Sequence, residues 1–530
     1  MTKFGALVKL NFRALLASLR VGGSRKRMGN GWAALVLMGA VCLYVSGWYS
    51  FLMASQLAEV GGLELIFLVM PVLAVVAGLL FTLFAVQGVV FGGRDTDLML
   101  SLPVSAFQVM LARVLALYLE TLFFSVLILA PAGAAWLWYG GEGGVFFLLR
   151  LAVGIVFLAL LPTVLALAGG FVLSWCASRA VHKTQLTIVL YLLLMVGAAA
   201  VSIRFQMAVY GLAAEGMGAR MEDAFNGWGI PFQLFRAGIL GDGLALGGFG
   251  LLSTLALLAA CALFAPSYPR ILTGLSTHRK QTNYQLGRLA ASGSWKALLV
   301  KEGARFFGTP IYLFNAGFGL LLLVVGGMAA GAERDRLQTL LDQPGLEGLP
   351  VMPLAAAAVL LLLSTVAVTA SSISLEGRNL WILKEAPVET GAILRAKAGF
   401  QVLVTLPCLL IGVAGLTRGL GLTAAQGAEL FLLGTAFAGF DAALGLAINL
   451  CHPKLDAIND MVVVKQSMTS VMAVFGGMAA AAAVVGSFWG LREALGELGG
   501  VLLCVALLLA GGAGTIQWLR TRGAERFQAL

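Results

Sequence analysis

Long apolar runs, each ended by a short charged or glycine-rich stretch, make up nearly the whole chain. Crossing about 30 Å of hydrocarbon takes about 20 residues, and about twelve runs satisfy that length. They are 32–54, 65–91, 114–138, 146–174, 185–203 and 243–265, then 309–331, 351–373, 398–417, 427–450, 466–487 and 499–519. Continuous apolar runs of this length predict helices, because a helix satisfies its own backbone inside lipid. The expected fold class is therefore an all-α integral membrane protein with about twelve transmembrane helices.

The polar positions set the orientation. With the N-terminus inside, about 27 basic residues against about 9 acidic ones fall in cytoplasmic segments, and about 8 against about 14 fall outside, the sense expected of short loops. Both termini are then cytoplasmic. The reverse topology would export RVGGSRKR and THRK.

Two polar segments just ahead of spans are amphipathic. Lys9, Arg13 and Arg20 share one helical face, while Phe4, Leu7, Val8, Leu15, Leu16 and Leu19 share the other, which predicts a helix in the inner interface. Before the seventh span, Lys301 and Arg305 stand four apart among Trp295, Leu298, Leu299 and Phe306. Val8-Lys9…Arg13 matches Val300-Lys301…Arg305 in spacing. Charge bias alone can place basic residues there, but the matching position before spans one and seven favours duplication.

A second repeat lies after the second span of each half. Gly93 to Arg113 aligns without a gap on Gly377 to Lys397, pairing Gly93/Gly377, Arg94/Arg378, Pro103/Pro387, Val104/Val388 and Ala112/Ala396 as identities. Leu98/Ile382, Met110/Leu394 and Arg113/Lys397 match in kind. After the fourth and tenth spans, WCASR (175–179) faces LCHPK (450–454). Landmarks in one order and one orientation describe two parallel six-span halves, 1–265 and 295–530, joined by a basic cytoplasmic linker, 266–294. The halves differ outside: 204–242 is a long aromatic, glycine-rich stretch, whereas the second half carries a polar loop between spans seven and eight.

Composition agrees. Of 530 residues 60% are hydrophobic and 11% charged, and the mean hydropathy is +0.94, which excludes a soluble globular protein. The net charge of +10 collects on one membrane side rather than marking a nucleic-acid surface. No cleavable leader is expected from the basic, interrupted first 30 residues. Six cysteines in or beside apolar runs imply no external disulfide framework, and three loop histidines give no expectation of a metal.

Chemistry-bearing motifs are sparse. The sequence holds no Gly-x-x-x-x-Gly-Lys-Ser/Thr phosphate loop, no nucleophile elbow and no close carboxylate pair in a loop, so an enzyme is not expected and any ATP and Mg would be held by a partner. Two acids lie inside spans, Glu120 in the third and Asp441 in the tenth. A carboxylate at that depth costs about 2.5–3.5 kcal/mol, so each must face protein or water. They could line a substrate path or a proton-linked site, or simply hold helices together through hydrogen bonds.

RDTDLMLSLPVSAFQVMLAR, ISLEGRNLWILKEAPVETGAILRAK, LVKEGARFFGTPIYLFNAGFG and CHPKLDAINDMVVVKQS resemble the tandem, twelve-span ABC exporter permeases of bacteria, members of the ABC-2-type transporter class. The resemblance covers nearly the whole chain. It implies interfacial connecting helices at about 3–20 and 295–307 and coupling helices within 93–108 and 377–392. It also implies external re-entrant helices in 204–242, poorly matched in the second half, and two ATPase partners per chain. The coupling residues it points to are Arg94, Asp95, Asp97, Pro103, Arg113, Arg378, Glu385, Pro387 and Lys397, with Glu389 as a further charged contact. The function implied is export across a bacterial plasma membrane. A secondary transporter of the major facilitator type also has parallel six-span halves, and a lipid-acting membrane enzyme would need an interfacial cluster of His, Asp or Glu. The cargo is not readable.

Overall fold

The computed structural model describes residues 3–19, 29–59, 61–91, 101, 103–179, 185–194, 196–197, 229–276, 293–342, 350–456, 460–464 and 467–530. Among them there is no strand, and the chain is a helical, membrane-embedded protein. Among the described residues, eight helical stretches are long and apolar enough to cross a membrane, or nine if one bent pair counts as a span. The chain divides into two compact units, one of 1–17 and 35–283, the other of 18–34 and 284–530.

In the first unit Leu63–Phe91, Ala106–Trp138, Val145–Arg179 and Gly243–Phe264 are the candidate spans, preceded by the part of the helix Gly29–Glu59 from residue 35 onward. One core gathers around Phe67, Trp136, Phe147 and Phe235. A second gathers around Leu7, Val90, Met110 and Tyr268. The third helix begins at Ala106 rather than at 114, because Ser105 and Gln108 form a reciprocal capping box and Val109, Met110 and Val114 turn into the core. Tyr268–Ser276, assigned to the linker by sequence, is a helix of this unit. Its Tyr268, Ile271 and Leu272, spaced at three and four, are buried. Of the external stretch, Ile230–Leu240 is helical and buries Phe232, Phe235 and Ile239; 204–228 lies outside the described residues.

After residue 284 the first described helix of the second unit is Ser294–Gly308. Pro310–Ala316 and Phe318–Ala332 follow, bent at 63° to each other. Then come Val351–Ser364, Thr390–Gly419 and Ala424–Cys451. Glycines bring two of these helices into backbone contact. A Cβ on Gly415 would stand 2.1 Å from Gly327 O, and one on Gly327 would stand 2.3 Å from Gly412 O. The last apolar stretch, Met468–Trp518, has 51 residues; straight, it would reach about 77 Å, more than twice the hydrocarbon thickness. It is not straight. Gly496 adopts φ 73° and ψ 171°, and beyond it the chain folds back, with Cys504 Sγ 3.5 Å from Val484 O and Gly500 against Phe488.

Candidate functional site

Beneath the second repeat segment lies a cluster of five charged side chains on three elements. Ser294–Gly308 brings Lys301, Glu302 and Arg305. The turn Ser374–Asn379 brings Glu376, and Thr390–Gly419 brings Lys397. Lys397 is 1% exposed and Glu302 and Glu376 are each 4% exposed. Its ammonium donates to Glu302 Oε1 at 2.7 Å, Glu376 Oε1 at 2.9 Å and Ser372 O at 3.2 Å. Arg305 pairs with Glu376 Oε2 at 2.8 Å and donates to Leu375 O at 2.9 Å. Lys301 pairs with Glu376 and lies 3.6 Å from Glu302. Burial, with the like charge of Lys397 beside it, holds the Lys301 ammonium below its ordinary range.

Local backbone chemistry sets Glu376 there. Asn449 Oδ1 accepts from Ile373 N at 2.9 Å and Ser374 N at 3.1 Å, and Asn449 Nδ2 donates to Ser374 Oγ at 2.8 Å. The next residue, Gly377, has φ 53°, a left-handed conformation that favours glycine. The chain thus leaves Glu376 inside and Arg378 on the surface. A short helix, Leu380–Glu385, follows. It ends where Ala386 turns extended ahead of Pro387, so the coupling helix read as lying within 377–392 is much shorter than that range. Trp381 is 61% exposed and Ile382 is 53% exposed, and Arg378, Glu385, Pro387 and Glu389 are exposed beside them. The inner face of this helix packs with Ile393, Leu446, Leu519 and Phe527, while Lys384 Nζ donates to Gln528 O at 3.0 Å. The C-terminal helix Ala524–Ala529 therefore braces it from within.

The first unit holds part of the same design. Arg113, aligned with Lys397, is 3% exposed and donates to Val90 O at 3.0 Å and Tyr268 Oη at 3.2 Å. Gln87–Phe91 is a π-turn, the kind of register slip that redirects backbone carbonyls. Lys9 and Arg13 are exposed on Lys3–Leu19, whose Leu7 is buried. Where the second unit has Glu302 and Glu376, the aligned positions are Leu10 and Gly92, so the carboxylates of the cluster have no counterpart. Pro103 is exposed two residues before the Ser105 cap. Arg94, Asp95 and Asp97 lie outside the described residues.

The structure thus joins Lys301, Arg305 and Lys397 and leaves Arg378, Glu385 and Pro387 on the surface above them. Lys9, Arg13 and Arg113 belong to the other unit. Glu302 and Glu376, which knit the cluster, were not among the expected residues. One signal was available for Glu302: it stands four residues from both Leu298 and Phe306, on the apolar face of an amphipathic helix. The intramembrane acids differ. Glu120 is half-buried on Ala106–Trp138. Asp441 is 4% exposed, and its Oδ2 accepts from Gln401 Nε2 at 3.0 Å. Among the described residues no group of three or more His, Cys, Asp or Glu is placed to hold a metal ion.

No protein-family model matches this chain, and no curated protein and no solved structure matches it.

Proposed function

We propose that the chain is the membrane-spanning permease of an ATP-driven exporter of the ABC-2-type class. On this reading it has two six-span halves in a bacterial plasma membrane, with both termini in the cytoplasm. Two ATPase subunits hold the ATP and Mg and press on the repeat segments at 93–108 and 377–392. The observation that carries the reading is the buried charge cluster under an exposed, mixed apolar and charged surface. A helix passes on force only if it is rigid and fastened, and Leu380–Glu385 is fastened on its inner side to four other elements. Its outer side offers Trp381, Ile382, Arg378 and Glu385, the mixture of an aromatic anchor and charges that protein partners use. Lys397 and Arg113, being buried, act by holding the segment in place rather than by touching the partner.

The test is pairing. The chain purified alone should hydrolyse no ATP, and it should co-purify with an ATPase subunit. Arg378→Glu and Arg94→Glu should each weaken that pairing without stopping membrane insertion; undiminished pairing in both counts against the docking surface. A second reading, a carrier driven by an ion gradient, draws support from the bent pair Pro310–Ala316 and Phe318–Ala332 in the second unit. It would be favoured by transport that persists without any ATPase.

A further inference from the structure

Two apolar helices of the second unit are interrupted, and the interruptions meet. One break is at Gly317, between Pro310–Ala316 and Phe318–Ala332. The other spans 365–367, between Val351–Ser364 and Val368–Ser372. Ala367 N donates to Ala316 O at 3.0 Å, and Tyr312 Oη donates to Val368 O at 2.8 Å. Gly319 passes so close that a Cβ there would stand 2.1 Å from Leu362 O.

Irregular backbone at membrane depth persists only where protein or a polar cavity satisfies it. Gln401 meets part of that demand. Its Oε1 accepts from Thr369 N at 2.8 Å and Thr369 Oγ1 at 2.9 Å, and its Nε2 donates to Val366 O at 3.4 Å and Asp441 Oδ2 at 3.0 Å. The second oxygen of Asp441 accepts no hydrogen bond from the described residues. It looks onto Gly477, where a Cβ would lie 2.7 Å from Asp441 Oδ1 and 3.0 Å from Ser364 Cβ. The Ser364 hydroxyl donates to Leu361 O at 2.7 Å, which leaves its lone pairs able to accept.

No basic side chain among the described residues lies within ion-pair distance of Asp441. The helices packed on it contribute Ser364, Thr369, Gln401 and Gly477, none of them titratable. Lys397, one turn before Gln401, is already held by Glu302 and Glu376. A carboxylate so enclosed is too costly to carry its charge alone, and Gln401 ties it to the 365–369 break; the unwound backbone of interrupted helices is where membrane carriers hold sodium ions or protons. We propose that Asp441 is the seat of a monovalent cation, sodium ion or proton, taken up where the two interrupted helices cross. The site lies wholly within the second unit and does not depend on the ATPase reading.

The experiment is thermal unfolding of the purified full chain in detergent, without any ATPase. Choline is exchanged for Na⁺ at constant ionic strength, and pH is varied separately in choline alone. A sodium site raises the melting temperature with Na⁺ to saturation. A proton site leaves Na⁺ without effect and gives a pH midpoint instead. In either case Asp441→Asn abolishes the response. Ser364→Ala, a milder change should Asp441→Asn fail to fold, shifts the midpoint, by roughly tenfold in ion concentration, as losing a supporting group does. A wild-type protein indifferent to both Na⁺ and pH overturns the proposal. So does a response that survives in folded Asp441→Asn, or one whose midpoint is unmoved in Ser364→Ala.

Discussion

Glu376→Gln is the most informative single change in the charge cluster. The Glu376 carboxylate is touched by Lys301, Arg305 and Lys397, whereas Glu302 has Lys397 at 2.7 Å and Lys301 only at 3.6 Å. The cluster holds three bases and two acids, a formal balance of +1; neutralising Glu376 raises it to +2 and leaves Glu302 as the sole carboxylate. Removing one partner of a buried ion pair costs about 3–5 kcal/mol, and Glu376→Gln should fall in that range. Glu302→Gln keeps Glu376 in place for Lys397 and should cost about 1–3 kcal/mol, the order of one disturbed buried bond. Replacing Glu302 and Lys397 together by Met should be milder than Glu376→Gln, because Glu376 retains Lys301 and Arg305 and no buried charge is orphaned. Unfolding in mixed micelles of rising denaturing-detergent fraction, followed by far-ultraviolet circular dichroism, ranks the three variants. If Glu376→Gln costs no more than Glu302→Gln, the cluster is not organised on Glu376 and the description of the segment as clamped is wrong.

The glycine contact gives a second expectation: Gly415→Ala should destabilise by about 1–3 kcal/mol, since its Cβ meets backbone that cannot give way. Gly439→Ala, with nothing within 4 Å of the added atom, should fold unchanged in the same assay. At Gly496 the added Cβ also meets nothing within 4 Å, yet Gly496→Ala should cost about 1–3 kcal/mol through its backbone conformation alone. An unaffected Gly496→Ala protein would mean that the reversal there is not held by glycine. Phe527→Ala should speed hydrogen exchange in 380–385 more than in 424–451: Phe527 shares its buried cluster with Leu380 and Leu383 and also with Leu446 and Leu450, but the latter sit on a 28-residue helix packed along its length; equal protection in both proteins would remove the brace from the account.

Periodicity made the helices legible, and the repeat made the surface segment legible. Lys3–Leu19 and Ser294–Gly308 follow from apolar residues at three- and four-residue spacing. Gly377 and Pro387 stood out in the sequence only as repeat identities, yet each bends its own backbone without need of distant partners. The cluster was not legible, since its bonds join residues 75 and 95 positions apart and no local pattern records which acid meets which base. Lys301 and Arg305 read as residues facing the membrane surface, whereas burial of Glu376 draws them inward. Helix ends also shifted where capping overrode hydropathy: Ser105 and Gln108 start a helix well before the apolar run does. The interrupted helices were read as single runs, because Gly317 and the 365–367 segment are themselves too apolar to break a hydropathy pattern.

The measurement closest to the central claim is site-specific photocross-linking from position 382, beside Trp381, in native membranes. The account predicts a cross-linked product that hydrolyses ATP and fades in Arg378→Glu, with none formed from a probe at the buried position 383. A probe at 382 that captures no ATPase, in membranes where the chain still moves its cargo, would contradict it.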